Sequence, residues 1–360
     1  MSLATPWPHE RAAELSARFK AFAAKPQPSW TFVMSDGNDV LNYIQPETRE
    51  DMAALPGYTF VEPQTPEQWA ALDLVLVTTH GSNLAAFIFR LKAKAPQAVI
   101  ALWLWDNHVA HLNNLHTVLG ADIYFPSHAY ASPYLANPAC LNGGHVPACS
   151  AQWSKAHAAS LFGEHAEPRS GKMLMNYVDY QWSWRSELLQ RVRAEVPEAQ
   201  MVTMPSGDRS RYFAKPSAER FREWLGHKCT LILPLDSDLS TRVFDALLAG
   251  MVPVVPTRVV DFDAVFAPAL QQALGIVRTA DFETATLRAA AREAEALFDR
   301  MGVEGVQRRH RHALQHHTIA NRCDAMLNAC RQAGGEQFRI VFGAIGNQQP
   351  GQHVIHAATA

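Results

Sequence analysis

Four features that the sequence lacks restrict the class of protein. Long apolar runs are absent: a run such as Ala98 to Trp105 falls far below the roughly 20 residues that cross a membrane. A large charge of one sign is absent too, because the formal net charge is -2, which gives no general attraction to nucleic acid. The N-terminus has no apolar core of a secretion signal, and the five cysteines form no Cys-x-x-Cys pair. We therefore expect a cytoplasmic protein with no transmembrane segment and no nucleic-acid partner.

A recognisable metal site is also lacking, although the chain has 16 histidines. His312 and His316 stand four apart on a predicted helix, which is the spacing that two metal ligands on one helix require. No carboxylate or cysteine completes a set with them, and their basic neighbours would repel a cation. We expect neither a metal nor a bound cofactor.

What the sequence does have is a regular alternation of strand-like and helix-like stretches. Its 360 residues suit two domains of ordinary size. Near-continuous apolar runs alternate with helix-compatible segments, which favours parallel sheets covered by helices on both faces. The alternation is lost between about Pro138 and Ser170 and then starts again. The predicted fold is α/β, with two Rossmann-like, doubly wound domains at 1–150 and 151–333 that face a cleft, and a tail at 334–360 of unknown placement.

One elbow in the second series carries an unusual set of polar residues. In LPLDSDLSTRVFDALLAGMVPVVP, residues 233–256, two apolar runs enclose a polar loop and a short amphipathic helix. The pattern predicts Ser240 or Thr241 as the N-cap of this helix and the following glycine as its end. Backbone N–H groups at a helix start, beside the guanidinium of Arg242, form a receptor for phosphate. The alternative is that Ser240, Thr241 and Asp245 only cap and solubilise the helix.

The same elbow resembles the donor-binding segment of glycosyltransferases with the two-domain GT-B fold. It looks most like the group-1-type bacterial branch related to spore-maturation proteins, and it is also similar to the segment of exostosin-type transferases. A second stretch, HHTIANRCDAMLNAC, resembles the closing helix of that bacterial branch. The matching residues are Ser240, Arg242, Phe244, Asp245, Ala246, Leu247, Gly250, Pro253, Val254, His317, Thr318 and Arg322.

The resemblance implies a metal-independent glycosyltransferase. It would move a sugar from a nucleotide-sugar donor, bound by the second domain, to a glycan, lipid-linked or small-molecule acceptor held by the first domain. Asp245 would contact the ribose, and Arg242 with the N–H groups around Ser240 and Thr241 would hold the diphosphate. Ser237 stands eight residues before Asp245, where retaining members often carry a second acid, so the stereochemical outcome stays open.

Further site residues are predicted from other elbows. Arg185, at the entrance to a helix in QWSWRSELL, is either a second phosphate ligand or a solvated helix residue. Sugar transfer also needs a base for the acceptor hydroxyl. Asp106 and His108, two residues apart after the most apolar strand, are the first candidates, with a helix cap and a polar loop as the alternative. His80, beside a glycine that allows close approach, is the second candidate.

Weaker candidates and other classes of function remain open. Asp36 and Asn38 follow the first predicted strand, and Arg209, Arg211 and Lys215 form a basic loop that either covers the donor or is simply solvated. One alternative function is a sugar-nucleotide epimerase or hydrolase, which consumes donor when no acceptor is present. The other is a non-catalytic module that retains the fold without turnover.

Overall fold

Two compact α/β units make up the part of the chain that the structure describes. This computed structural model describes residues 8–34, 44, 46–59, 63–79, 84–106, 111–135, 140–181, 183–205 and 214–335. Contacts between Cα atoms assign the described residues within Met1–Tyr43, Arg49–Pro147 and Arg322–Ala360 to the first unit, and those within Ile44–Thr48 and Ala148–Asn321 to the second. The predicted domain limits are 150 and 333. In the structure, the chain passes from the first unit to the second after Pro147 and returns to the first unit after Asn321.

The first unit contains a five-stranded parallel sheet in the order β1-β2-β3-β4-β5. Every residue of the central strand β3 is buried, because both faces of the sheet are covered. The strands are β1 Trp30–Met34, β2 Leu74–Thr79, β3 Val99–Leu104, β4 Ile123–Pro126 and β5 Leu141–Asn142. The α-helices are Pro8–Ala24, Arg49–Ala53, Pro66–Ala70, Leu84–Lys94 and His111–Val118, and a short 3-10 helix lies at Ala129–Leu135. A second 3-10 helix, Pro46–Thr48, belongs to the second unit.

A buried carboxylate attaches the first helix to this sheet. The side chain of Asp122, just before β4, is fully buried and lies 2.6 Å from Arg11, 3.2 Å from Lys92 and 3.4 Å from Arg18. Its Oδ2 also accepts a hydrogen bond from the backbone N–H of Ile100 at 2.8 Å. Burial alone would raise the pKa of Asp122, but the three cations more than offset it and the pKa lies below its ordinary value. This ionised group stabilises the packing of Pro8–Ala24.

The second unit contains a five-stranded parallel sheet in the order β10-β9-β8-β6-β7. Its strands are β6 Met173–Asp179, β7 Ala199–Pro205, β8 Cys229–Leu231, β9 Val252–Pro256 and β10 Val277–Thr279. Its α-helices are Lys155–Glu164, Trp184–Glu195, Ser217–Leu225, Arg242–Leu248, Phe262–Val265, Pro268–Leu274 and Thr284–His316. A last helix, Ile319–Ala333, belongs to the first unit from Arg322 onward. The predicted α/β class with two Rossmann-like parallel sheets is confirmed.

The main local difference from prediction lies near the end of the chain. The sequence predicts one helix over HALQHHTIANRCDAMLNACRQ, whereas one helix ends at His316 and another begins at Ile319. The physical reason is a cap: Asn321 Oδ1 accepts bonds from the backbone N–H of Thr318 at 3.1 Å and from its hydroxyl at 2.6 Å. Within the described ranges, no helix has both the length and the apolar character that a membrane span needs.

Candidate functional site

The carboxyl ends of β6 and β8 are where the topology of the second unit favours a ligand. From β6 the chain crosses to β7 on one side of the sheet, and then to β8, β9 and β10 on the other. Sheets of this order bind ligands outside the carboxyl ends of the two strands at the switch point. The helix Trp184–Glu195 follows β6, and the polar elbow with the helix Arg242–Leu248 follows β8. Both predicted phosphate-binding arginines therefore come from segments that leave this edge.

Arg242 is half-buried, and its side chain reaches back to β6. The guanidinium donates a hydrogen bond to Oδ1 of Asn176, and its carbon lies 4.3 Å from the centre of the Tyr177 ring. Asn176 is itself buried, and its amide nitrogen donates to Glu223 at 3.0 Å. An amide oxygen and a ring face hold the guanidinium in place without neutralising its charge.

Arg185 is buried at the first turn of the helix Trp184–Glu195, which excludes the predicted alternative of a solvated helix residue. Its guanidinium donates to the carbonyl oxygens of Val178 at 3.2 Å and Leu233 at 3.4 Å. The guanidinium carbon lies 5.3 Å from the centre of the Tyr177 ring, and the buried Nε has no hydrogen-bond partner among the described residues. Burial, and then the neighbouring charge of Arg242, lower the pKa of Arg185.

The structure thus brings two guanidinium groups to one aromatic ring. Within the part of the chain that the structure describes, neither Arg185 nor Arg242 has a carboxylate oxygen within 4.0 Å. The Tyr177 ring is itself held in place, since its hydroxyl donates to the carbonyl of Leu231 and accepts from the N–H of Leu233 at 2.9 Å. Two like charges in a largely buried position are unfavourable unless an anion joins them. The arrangement therefore suits a phosphate or diphosphate ligand.

The start of the helix Arg242–Leu248 contributes less than predicted. Ser240 Oγ accepts a hydrogen bond from the N–H of Arg242 at 3.4 Å, as a cap does, while Thr241 has helical backbone angles and makes no side-chain cap bond. The helix has only seven residues, so its dipole is short. Ser237, in the loop before it, adopts a left-handed backbone with φ 61°. The guanidinium groups of Arg185 and Arg242 are therefore stronger candidates for anion binding than the start of this helix.

An aromatic surface adjoins Arg185. The ring centres of Trp184 and Phe282 lie 5.2 Å apart, and the indole N–H of Trp184 donates to the carbonyl of Leu235 at 2.9 Å. Arg258, which comes just after β9, places its guanidinium 4.8 Å from the Trp184 ring centre. Flat side chains of this kind stack well against the planar base of a nucleotide.

Asp245 is placed differently from the ligand contact that the resemblance implies. It is 2% exposed, and its two oxygens accept hydrogen bonds from Ser150 Oγ at 2.7 Å and Gln152 Nε2 at 3.1 Å. Burial raises the pKa of Asp245 to about 6, although both bonds and the charge of Arg242 act in the opposite direction. The carboxylate is thus hydrogen-bonded inside the protein, and its contact with a ribose stays a prediction.

The predicted acceptor-side residues fall mostly outside the described residues. This applies to His80, His108, Asp36 and Asn38. Asp106 is half-buried just after β3, and its carbonyl oxygen accepts a bond from Asn114 Nδ2 at 3.4 Å. The catalytic roles of Asp106, His108 and His80 stay predictions.

Lys215 of the predicted basic loop and His312 of the histidine pair each contact a side chain within the protein. Arg209 and Arg211 lie outside the described residues, and Lys215 forms an ion pair with Glu223 at 2.8 Å. His312 contacts His317, with Nε2 atoms 3.1 Å apart, and burial lowers the pKa of His312 to about 4. The described residues contain no group of three or more His, Cys, Asp or Glu side chains that could hold a metal.

Sequence reasoning missed Asn176 and Tyr177 as members of the site. Both lie in MLMNYVD, the strand that leads to the switch point, and Asn176 is the one amide in that otherwise apolar run. An amide inside a buried parallel strand needs a hydrogen-bond partner. That signal predicts a polar side chain packed against the strand, which here is Arg242.

Comparisons with known proteins do not assign a function to this chain. No family model matches the chain, and no curated protein matches it. Among solved structures, the chain is similar to Arabidopsis thaliana UGT89C1 complexed with UDP-L-rhamnose, at 11% identity and a TM-score of 0.36, over 81% of this chain and 78% of that one. The residues of this chain are therefore the evidence for its function.

Proposed function

We propose that this chain is a glycosyltransferase that uses a nucleotide-sugar donor and binds the donor's diphosphate at the carboxyl ends of β6 and β8. The observation that carries the proposal is the pair of guanidinium groups, Arg185 and Arg242, over the ring of Tyr177. A diphosphate would add negative charge beside both groups and accept hydrogen bonds from them. The resemblance of residues 240–254 to a donor-binding segment favours a sugar nucleotide over other phosphates.

The proposed chemistry follows from the leaving group. As the bond between the sugar and the diphosphate breaks, negative charge grows on the diphosphate oxygens, and Arg185 and Arg242 stabilise it. The acceptor hydroxyl oxygen forms the new bond to the sugar, and its proton passes to a base. Asp106, His108 and His80 are the proposed sources of that base.

The experiment is a binding titration followed by a turnover assay. UDP, GDP and ADP are titrated against wild type, Arg185→Ala and Arg242→Ala. Arg292→Ala serves as the control, because the side chain of Arg292 is 59% exposed and forms a surface ion pair with Glu198. Loss of a charged hydrogen bond weakens binding by about 10- to 100-fold, so we expect this loss in both site variants and none in the control. Equal binding by all four proteins would contradict the site.

Turnover separates the alternative functions. A transferase releases nucleoside diphosphate from its sugar nucleotide faster when acceptor is added. A hydrolase releases it at the same rate without acceptor, an epimerase changes the sugar without releasing diphosphate, and a non-catalytic module binds the donor unchanged.

A further inference from the structure

Asp245 lies at the junction of two parts of the second unit that are far apart in sequence. Its partners Ser150 and Gln152 belong to the segment from Ala148 to Ser154, which has no helix or strand of its own. Every residue of this segment is at most 4% exposed. A buried irregular segment must be held by specific hydrogen bonds, since its polar groups have no water to replace them.

Hydrogen bonds join the segment to several other parts of the unit, and Asp245 accepts two of them. The backbone N–H of Ser150 donates to the carbonyl of His317 at 3.1 Å, and the indole N–H of Trp153 donates to the carbonyl of Ser217 at 2.9 Å. The side chains of Ser150 and Gln152 both donate to Asp245. The carboxylate therefore accepts hydrogen bonds from two side chains of the segment.

The same helix carries Arg242, three residues before Asp245. Residues three apart lie on neighbouring positions of one helix face, so a shift of one moves the other. The helix has only seven residues, and it is tied at Arg242 to Asn176 and at Asp245 to Ser150 and Gln152. The position of the Arg242 guanidinium therefore depends on the hydrogen bonds of Asp245 to Ser150 and Gln152 as well.

We infer that Asp245 is a positioning residue, which fastens the buried segment from Ala148 to Ser154 to the helix of Arg242 and does not itself contact the ligand. The part of this inference that concerns Arg242 rests on the proposed function, whereas the fastening of the segment does not. A ligand hydroxyl would first have to displace Ser150 or Gln152 from a carboxylate that is 2% exposed.

Inorganic pyrophosphate distinguishes the two roles, because it has the phosphates of a nucleotide and no ribose. Asp245→Ala removes both bonds. Asp245→Asn retains them, since its amide oxygen accepts from Gln152 and its NH₂ donates to the hydroxyl of Ser150. The double variant Ser150→Ala with Gln152→Ala removes the same bonds from the other side, and it keeps the test open if Asp245→Ala does not fold. Ser160→Ala, at an exposed serine bonded to Glu164, is the control.

The expected result is pyrophosphate binding that weakens about tenfold or more in Asp245→Ala and in the double variant. Asp245→Asn should bind at least as tightly as wild type, because a negative charge near the anion is removed while the bonds stay. The inference would be overturned in favour of a ribose contact if pyrophosphate binding is unchanged in both Asp245→Ala and the double variant, while Asp245→Ala binds UDP more weakly than wild type.

Hydrogen exchange without ligand tests the fastening separately. Amides from Ala148 to Ser154 should exchange about tenfold faster or more in the double variant, and at the wild-type rate in Asp245→Asn and Ser160→Ala. Unchanged exchange in the double variant would overturn the inference. If wild type binds neither pyrophosphate nor a nucleotide, the proposed function fails, and the exchange experiment alone decides on the fastening.

Discussion

The buried carboxylate of Asp245 should leave a measurable trace in the pH dependence of stability. Its pKa rises from 3.8 to about 6 in the folded protein, and each pKa unit corresponds to about 1.4 kcal/mol. Because the folded pKa is above the unfolded one, the folded state holds the proton more tightly. The stabilisation from this proton is complete below about pH 4 and is lost as the pH rises through about 6. The loss amounts to about 3 kcal/mol.

Asp245→Asn removes this titration while retaining both hydrogen bonds. The charged groups that act on Asp245 are Arg242 and Arg220, and arginine does not titrate in this range. Urea unfolding of both proteins at pH 4 to 8 measures the difference in the free energy of unfolding. Wild type should lose about 2 kcal/mol relative to Asp245→Asn between pH 4 and 7. If the two proteins have parallel pH profiles, the carboxylate does not have the raised pKa that its burial implies.

Two further predictions concern positions where the fold depends on one residue. Gly250→Ala should destabilise the protein by about 2 kcal/mol in urea unfolding, because φ is 73° and the added Cβ would lie 2.8 Å from Val306; Gly163→Ala, whose Cβ would meet nothing within 4 Å, should not destabilise it. Asp122→Ala should cost about 3–5 kcal/mol by the same assay, because three cations lose their shared carboxylate. If Gly250→Ala and Asp122→Ala each lower the free energy of unfolding by less than about 1 kcal/mol, these two predictions are wrong.

The strands were predictable because parallel strands buried on both faces are continuous apolar runs. VIALWL and MLMNYVD appear as β3 and β6 where the sequence indicates them. The return of the chain at Gly250 was predictable for a local reason too, since only glycine adopts φ 73° without strain. Strand β10, with only three residues, gives too short a pattern to be distinguished from a loop.

The surroundings of Asp245 could be predicted only in part. Its neighbours Val243, Phe244, Ala246 and Leu247 are all apolar, which indicates that much of this helix is buried. The identity of its donors could not be predicted, because Ser150 and Gln152 lie 95 and 93 residues away in a segment without periodicity. Likewise, the shared position of Arg185 and Arg242 over Tyr177 follows from the strand order and not from any local motif.

The most direct test of the central claim is a crystal structure of the complex with whichever of UDP, GDP and ADP binds most tightly. We expect diphosphate oxygens within about 3 Å of the guanidinium nitrogens of Arg185 and Arg242, at the carboxyl ends of β6 and β8. A nucleotide bound elsewhere, with both guanidinium groups still resting on Tyr177 and no anion between them, would contradict it.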